Sequence, residues 1–476
     1  MAKPNEPSRD DRFHFVSSKS TDGRRAKRIA RSHAIARGLE NKRKLQQKSG
    51  LNFHAVTLKG DSGRSLDKRK TSGSLITPSV SFSGMSSAFQ MLAAESPKLR
   101  ALLSQVPNIA GEKLTLNTLD KMQHSQQPIF SVLDELVLQN FPAVFRKGLD
   151  DHALLSAAML RISFAITDGY IDVECLRYQG QALSSIRRRM SSPDMATTES
   201  TLGAILLLVG VEAQLGIPCQ VQLHMGAIQQ LLDICRRKGV YLSDGIKRAI
   251  FWSDLNASVM TGSSRVVDHT TFSELQWKRD PFTQSFFALP PGFQVYSHLL
   301  GADFVDVLKD VFALQCIRDS TFFGKEDTIA MANIDNHQAS IQSRLVSLPN
   351  CCSISECCHL AAYLCSTMLR CKLWRASTIP SHLSLQLLCK LQEVNPDLLW
   401  DDWPELLAWL LHIGGAFAPT GNIRSAYLAL LHLNRNTRLE NLYSSWPSLL
   451  EILKQFIWSE KAFEAQVKAF YEESHI

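Results

Sequence analysis

The residue types best suited to chemistry fall in two places. One is "CCSISECCH", which holds Cys351, Cys352, Cys357, Cys358 and His359. Four converging thiolate or imidazole ligands would make a structural zinc site, commonly as two C-x2-C pairs. Adjacent cysteines on a helix point about 100° apart and do not readily chelate one ion. Cys358 and Cys365 instead share a helix face with Ala362 and Leu369. Buried, reduced core cysteines are therefore preferred over a metal or redox site, and no metal site is assigned. The other place is the basic run from Arg24 to Lys44, "RRAKRIARSHAIARGLENKRK". Eleven Lys and Arg lie between Lys19 and Lys48, with Asp22 and Glu40 as the acids among them. Such a segment neutralises phosphates and releases their counterions. Its two clusters, Arg24, Arg25, Lys27 and Arg28, then Lys42, Arg43 and Lys44, with Arg31 and Arg37 between them, also have the spacing of a bipartite nuclear import signal.

Sequence-specific DNA reading by this run would need more than charge. Leu39, Leu45 and Leu51 are six apart, not seven, and Gly50 interrupts them, so no leucine zipper follows. The first cysteine is Cys175, so the run contains no zinc-cluster module. The preferred reading is an import signal with loose phosphate contact, and the alternatives are a dedicated DNA-binding arm and a merely solvated tail.

Other constellations are weaker. "DDWPE" (Asp401, Asp402, Glu405) resembles the Mg2+-pyrophosphate motif of all-α terpene cyclases. The second motif such enzymes need would fall at "NLYSSWPSLLE", where Leu449 replaces the required acid. Acids at the positive end of a helix dipole explain the run better. His224 and His412 lie in apolar helical runs and read as core or groove histidines. No nucleophile, base and oxyanion site assemble. The expectation is no enzyme, no catalytic residue and no cofactor.

The elements that hold these residues follow from charge and periodicity. Residues 1–75 carry 19 Lys and Arg against seven Asp and Glu, a net of +12, and the remainder carries 33 against 38, a net of −5. A basic tail on a mildly acidic body points to a polyanionic partner, nucleic acid first and an acidic membrane surface second. Residues 1–85 are rich in Ser, Gly, Lys and Arg and are expected to be a disordered tail and linker, with a transient helix over 24–47. Residues 86–476 show apolar spacings of three and four and are expected to form one all-α domain of a dozen or more packed antiparallel helices. Ser353 and Glu356 suggest a capping box, and Pro404 a first helical turn. Leu449, Leu453, Phe456, Phe463, Val467 and Phe470 trace one face of a closing helix. Loops are expected near 190–200, 263–297, 320–345 and 376–382. The longest apolar run, Leu202–Val211, is half the ~20 residues a membrane span needs, and no secretory signal opens the chain. These features describe a soluble intracellular protein without a membrane partner.

Several segments in order resemble the fungal-specific transcription factor domain, the helical regulatory region that usually follows a zinc-cluster module. They are "CLRYQGQALSSIRRRM" (Cys175–Met190), "ILLLVGVEAQLG" (Ile205–Gly216), "HMGAIQQLLDICRRKGV" (His224–Val240), "IKRAIFWSDLNASVMTG" (Ile246–Gly262), "LLAWLLHIGGAFA" (Leu406–Ala418) and "LLEILKQFIW" (Leu449–Trp458). The resemblance spans most of residues 130–476. It implies a structural role for Trp252, Asp254, Trp409, Gly414, Gly415 and Trp458. It also implies a nuclear transcription regulator that works with DNA, DNA-bound regulators or the transcription machinery, as a monomer or as a homo- or heterodimer. Without the zinc cluster, DNA contact is expected to be weak and largely non-specific, through the tail. The alternatives are a helical cofactor that does not touch DNA and, remotely, an Mg2+-dependent all-α enzyme.

Overall fold

The computed structural model describes residues 151–167, 169–277, 284–320, 328–349, 352–369 and 378–475, all within the unit Ser79–Ile476. The basic run and the expected boundary at residue 85 lie outside them. Among the described residues every regular element is helical, as the spacing of apolar residues predicts.

Helices α1 (His152–Ile166), α2 (Val173–Met190), α3 (Pro193–Ala196), α4 (Glu199–Gln214), α5 (Pro218–Lys238) and α6 (Asp244–Thr261) surround a first core. α4 is apolar around its whole circumference, which makes it the buried centre. It is started by Thr198, whose hydroxyl accepts from the Thr201 amide at 3.3 Å. α5 and α6 both end on glycines with positive φ, Gly239 at 65° and Gly262 at 68°. These are left-handed stops that a side chain would strain.

A second core is built from α7 (Pro291–Gln294), α8 (Ser297–Leu300), α9 (Ala302–Asp319), α10 (Thr328–Ser347), α11 (Ser353–Met368), α12 (Thr378–Val394), α13 (Leu399–Asp402), α14 (Pro404–Ala416), α15 (Asn422–Arg435), α16 (Trp446–Leu453) and α17 (Glu460–Glu473). Its centre is α14, buried from Leu406 to Ala416 and opened by Pro404 at its first position. Gly414 and Gly415 let neighbours approach. A Cβ on Gly414 would meet the Tyr427 ring of α15, and one on Gly415 the Phe470 ring of α17. The indole of Trp409 donates to the Ile457 carbonyl at 3.1 Å and lies 5.4 Å from the ring of Phe456. A fully buried aromatic of this size contributes about 2–3 kcal/mol.

Four sequence expectations are corrected. Residues 320–345 are not a loop, since α10 begins at Thr328. α12 begins at Thr378, inside another expected loop. The cap of α11 is Cys352 rather than Ser353, with its sulfur accepting from the Ser355 amide at 3.4 Å. The closing helix is two helices. Between them Ser459 accepts from the Ala462 amide at 3.2 Å and donates to Asp319 at 2.7 Å, while Gln315 takes the Trp458 amide at 2.8 Å. These side-chain bonds replace helix bonds, yet all six apolar residues of the expected face remain buried.

Candidate functional site

α10 packs against both cores, and its sequence explains how. Ala339 belongs to the first core, whereas Ile334, Ile341 and Leu345 belong to the second. Between these apolar contacts it buries Asn336, His337, Gln338, Ser340, Gln342 and Ser343. A buried polar helix is tolerable only if its side chains find partners. Gln338 donates to the Ser366 carbonyl at 2.9 Å, and Gln342 to the hydroxyls of Ser366 and Thr367, each at 3.2 Å. The Asn336 amide reaches the carbonyls of Glu274 and Gln276 at 3.0 and 3.2 Å. His337 stacks on Trp277 with ring centres 4.0 Å apart.

Two charged pairs close this seam. Asp254 of α6 accepts from Arg265 Nε at 3.0 Å and from the amides of Val266 and Val267 at 3.1 and 3.3 Å. Arg265 continues to Ser343 of α10 at 2.9 Å. Burial pushes the Asp254 carboxyl above its usual range, against the opposing pull of Arg265 and the two amides. On α9, Asp310 pairs with Arg344 of α10 and lies 3.8 Å from His337. Burial raises the Asp310 carboxyl, but His337 and Arg344 together outweigh it and hold it below the carboxylate range. His269 is lowered by burial. The seam is thus a fixed network of paired charges and amides joining two helical cores. It offers no nucleophile held by a base.

The six family-motif residues are not one site. Trp252 and Asp254 sit in the first core. Trp409, Gly414, Gly415 and Trp458 sit in the second, where Trp409 anchors the turn that carries Trp458. The basic residues Arg24, Arg25, Lys27, Arg28, Arg31, Arg37, Lys42, Arg43 and Lys44 lie outside the described residues.

Cys357, Cys358 and Cys365 are buried, and burial drives their thiols upward, Cys357 to about 12. They sit as core thiols, and burial disfavours the thiolate form that a nucleophile needs. Among the described residues no group of three or more His, Cys, Asp or Glu converges for a metal. Asp401 is held by Arg438 at 2.6 Å, on the rim of a groove of about 560 Å³ lined also by Asn395, Leu433 and Asn434. A cavity between α4, α6 and the start of α12 holds only about 30 Å³, room for a water or two. His224 bonds Glu212 at 3.1 Å, and His412 bonds the Ala408 carbonyl at 2.7 Å, so both are engaged within the helices. Among the described residues no helix is long and apolar enough to cross a membrane.

Residues 115–296 match the family model of the fungal specific transcription factor domain. The match covers less than half the chain. It includes α1 to α6 with Trp252 and Asp254, reaches α7 of the second core, and stops before Trp409, Gly414, Gly415 and Trp458. No curated protein and no solved structure matches the chain. The match therefore falls mainly on the first core. Sequence reasoning missed Arg265, Asp310, His337, Ser343 and Arg344, which tie that core to the second. A buried polar helix leaves no apolar period to read, and these residues meet partners between 27 and 78 positions away only in the fold.

Proposed function

We propose that the chain is a fungal nuclear transcription regulator, with the helical body as regulatory and protein-interaction domain and residues 24–44 as an import and phosphate-contacting arm. The observation that carries the reading is the family match over residues 115–296. The +12 against −5 charge division supports a polyanionic partner for the arm. Two of the body's buried carboxylates, Asp254 and Asp310, are engaged by arginines at the seam between the cores, which suits a structural part for them.

A second reading is a partner subunit that never touches DNA. It is favoured by the cysteine distribution, since no cysteine lies in or near the basic run, the first being Cys175. Electrophoretic mobility of the full chain on duplex DNA over a range of salt separates the two. The regulator reading expects binding at low salt that weakens steeply as salt rises. No shift at any salt supports the partner subunit. A preference for one site that persists near physiological salt adds a specificity determinant in the body.

A further inference from the structure

The mildly acidic body carries a concentrated basic surface where two helices end. α2 ends with Arg187, Arg188 and Arg189, and α5 ends with Arg236, Arg237 and Lys238. Lysine and arginine at helix C-termini are common because they complement the dipole. The dipole does not explain why these two ends are held side by side. Lys238 bonds Asp194 at 2.7 Å, on the short α3 that begins three residues after α2 stops. The Ser243 amide bonds Glu199 at 2.7 Å, which fixes the turn after α5 against the start of α4.

Not all six charges are consumed. Arg189 turns inward to Asp151 at 2.6 Å, Arg236 pairs with Asp233 at 3.0 Å, and Lys238 pairs with Asp194. Arg237 contacts only the carbonyl of Asp233, at 3.3 Å. Arg187, Arg188 and Arg237 are exposed, and none forms an ion pair among the described residues. Four residues beyond Arg237, Tyr241 is 76% exposed, with the Lys247 ammonium 4.9 Å from its ring centre. Exposed arginines spread over two helix ends suit the phosphates of an extended backbone better than a compact anion.

We propose that the paired ends of α2 and α5 form a second phosphate-contacting surface, on the body itself, through Arg187, Arg188 and Arg237. It rests on the reading of the chain as a DNA-contacting regulator and places part of that contact outside the arm. A duplex presents phosphates along its whole length, so one partner can meet both basic elements of the chain.

The test is the salt dependence of full-chain binding to a fluorescently labelled mixed-sequence duplex. Each phosphate contact adds about 0.9 to the slope of log affinity against log salt. The combined variant Arg187→Gln, Arg188→Gln, Arg237→Gln should lower that slope by about 2–3, while Arg187→Lys, Arg188→Lys, Arg237→Lys should keep it. An unchanged slope in the Gln variant, with a fall on changing Lys42, Arg43 and Lys44 to Gln, overturns the surface and leaves the arm. A Gln variant that loses affinity for poly-glutamate but keeps its duplex slope assigns the surface to an acidic protein segment and also overturns the proposal. No duplex binding by the unaltered chain overturns both the surface and the arm.

Discussion

Asp254, buried in the middle of α6, and the half-buried Arg265 form a pair 3.0 Å apart that ties α6 to the segment following it, and Arg265 carries the link on to α10. The carboxylate also holds two backbone amides, so it fixes main chain as well as charge. Removing one partner of a buried pair leaves the other charge uncompensated. Asp254→Ala should therefore cost about 3–5 kcal/mol in chemical denaturation. Asp254→Ala with Arg265→Ala should cost less than the two single losses added together, because the stranded charge is gone. Additive losses would show that the pair is not coupled.

Gly414 and Gly415 make opposite predictions from glycines elsewhere on helices. Gly415→Ala drives a methyl into the Phe470 ring and Gly414→Ala into the Tyr427 ring. Each should destabilise by about 1–3 kcal/mol through overpacking. Gly226→Ala on α5 meets no atom within 4 Å and should stabilise by about 0.5–1 kcal/mol through helix propensity. Thermal midpoints of the three variants check the contrast. Equal shifts would contradict the close approach at α14.

Acid should unfold the body partly through two histidines. Burial lowers His359 and His412 to about 4 each. An unfolded histidine binds its proton near pH 6.5. Between about 6.5 and 4 the unfolded chain therefore holds more protons, and stability is lost as pH falls through that window. Each histidine contributes a slope of about 1.4 kcal/mol per pH unit inside it. Carboxylates titrate there too, so the informative quantity is a difference. His412→Gln should show a flatter loss than the unaltered chain in urea midpoints at pH 7, 6 and 5. Parallel curves would contradict the buried neutral ring.

The basic run makes a cellular prediction. Residues 1–75 fused to a fluorescent reporter should concentrate in the nucleus. Changing Arg24, Arg25, Lys27 and Arg28 together with Lys42, Arg43 and Lys44 to Ala should spread the reporter through the cell. An even distribution of the unaltered fusion removes the import reading.

Much of the fold is legible in sequence where burial is apolar. α4 and α14 announce themselves as continuous apolar helices, and the end of α5 is marked by Lys238-Gly239. α10 is illegible because its buried residues are Asn, His, Gln and Ser, which resemble a loop until their partners on α11 and the 274–277 segment are known. The break between α16 and α17 is hidden for a related reason. Gln315 and Asp319, which hold the turn, come from α9, about 140 residues earlier. Ser353 mimics a cap, but the chain enters the helix one residue sooner, at Cys352. Asp254 stands out in a W-x-D pattern, whereas Arg265, its partner, lies eleven residues on, past the Gly262 stop, with nothing in its neighbourhood to mark it.

Chromatin occupancy of the tagged full chain, with and without residues 1–75, tests the regulator reading most directly. The account predicts discrete enriched loci for the full chain, with enrichment sharply reduced when residues 1–75 are removed. Occupancy no higher than in an untagged control would contradict it.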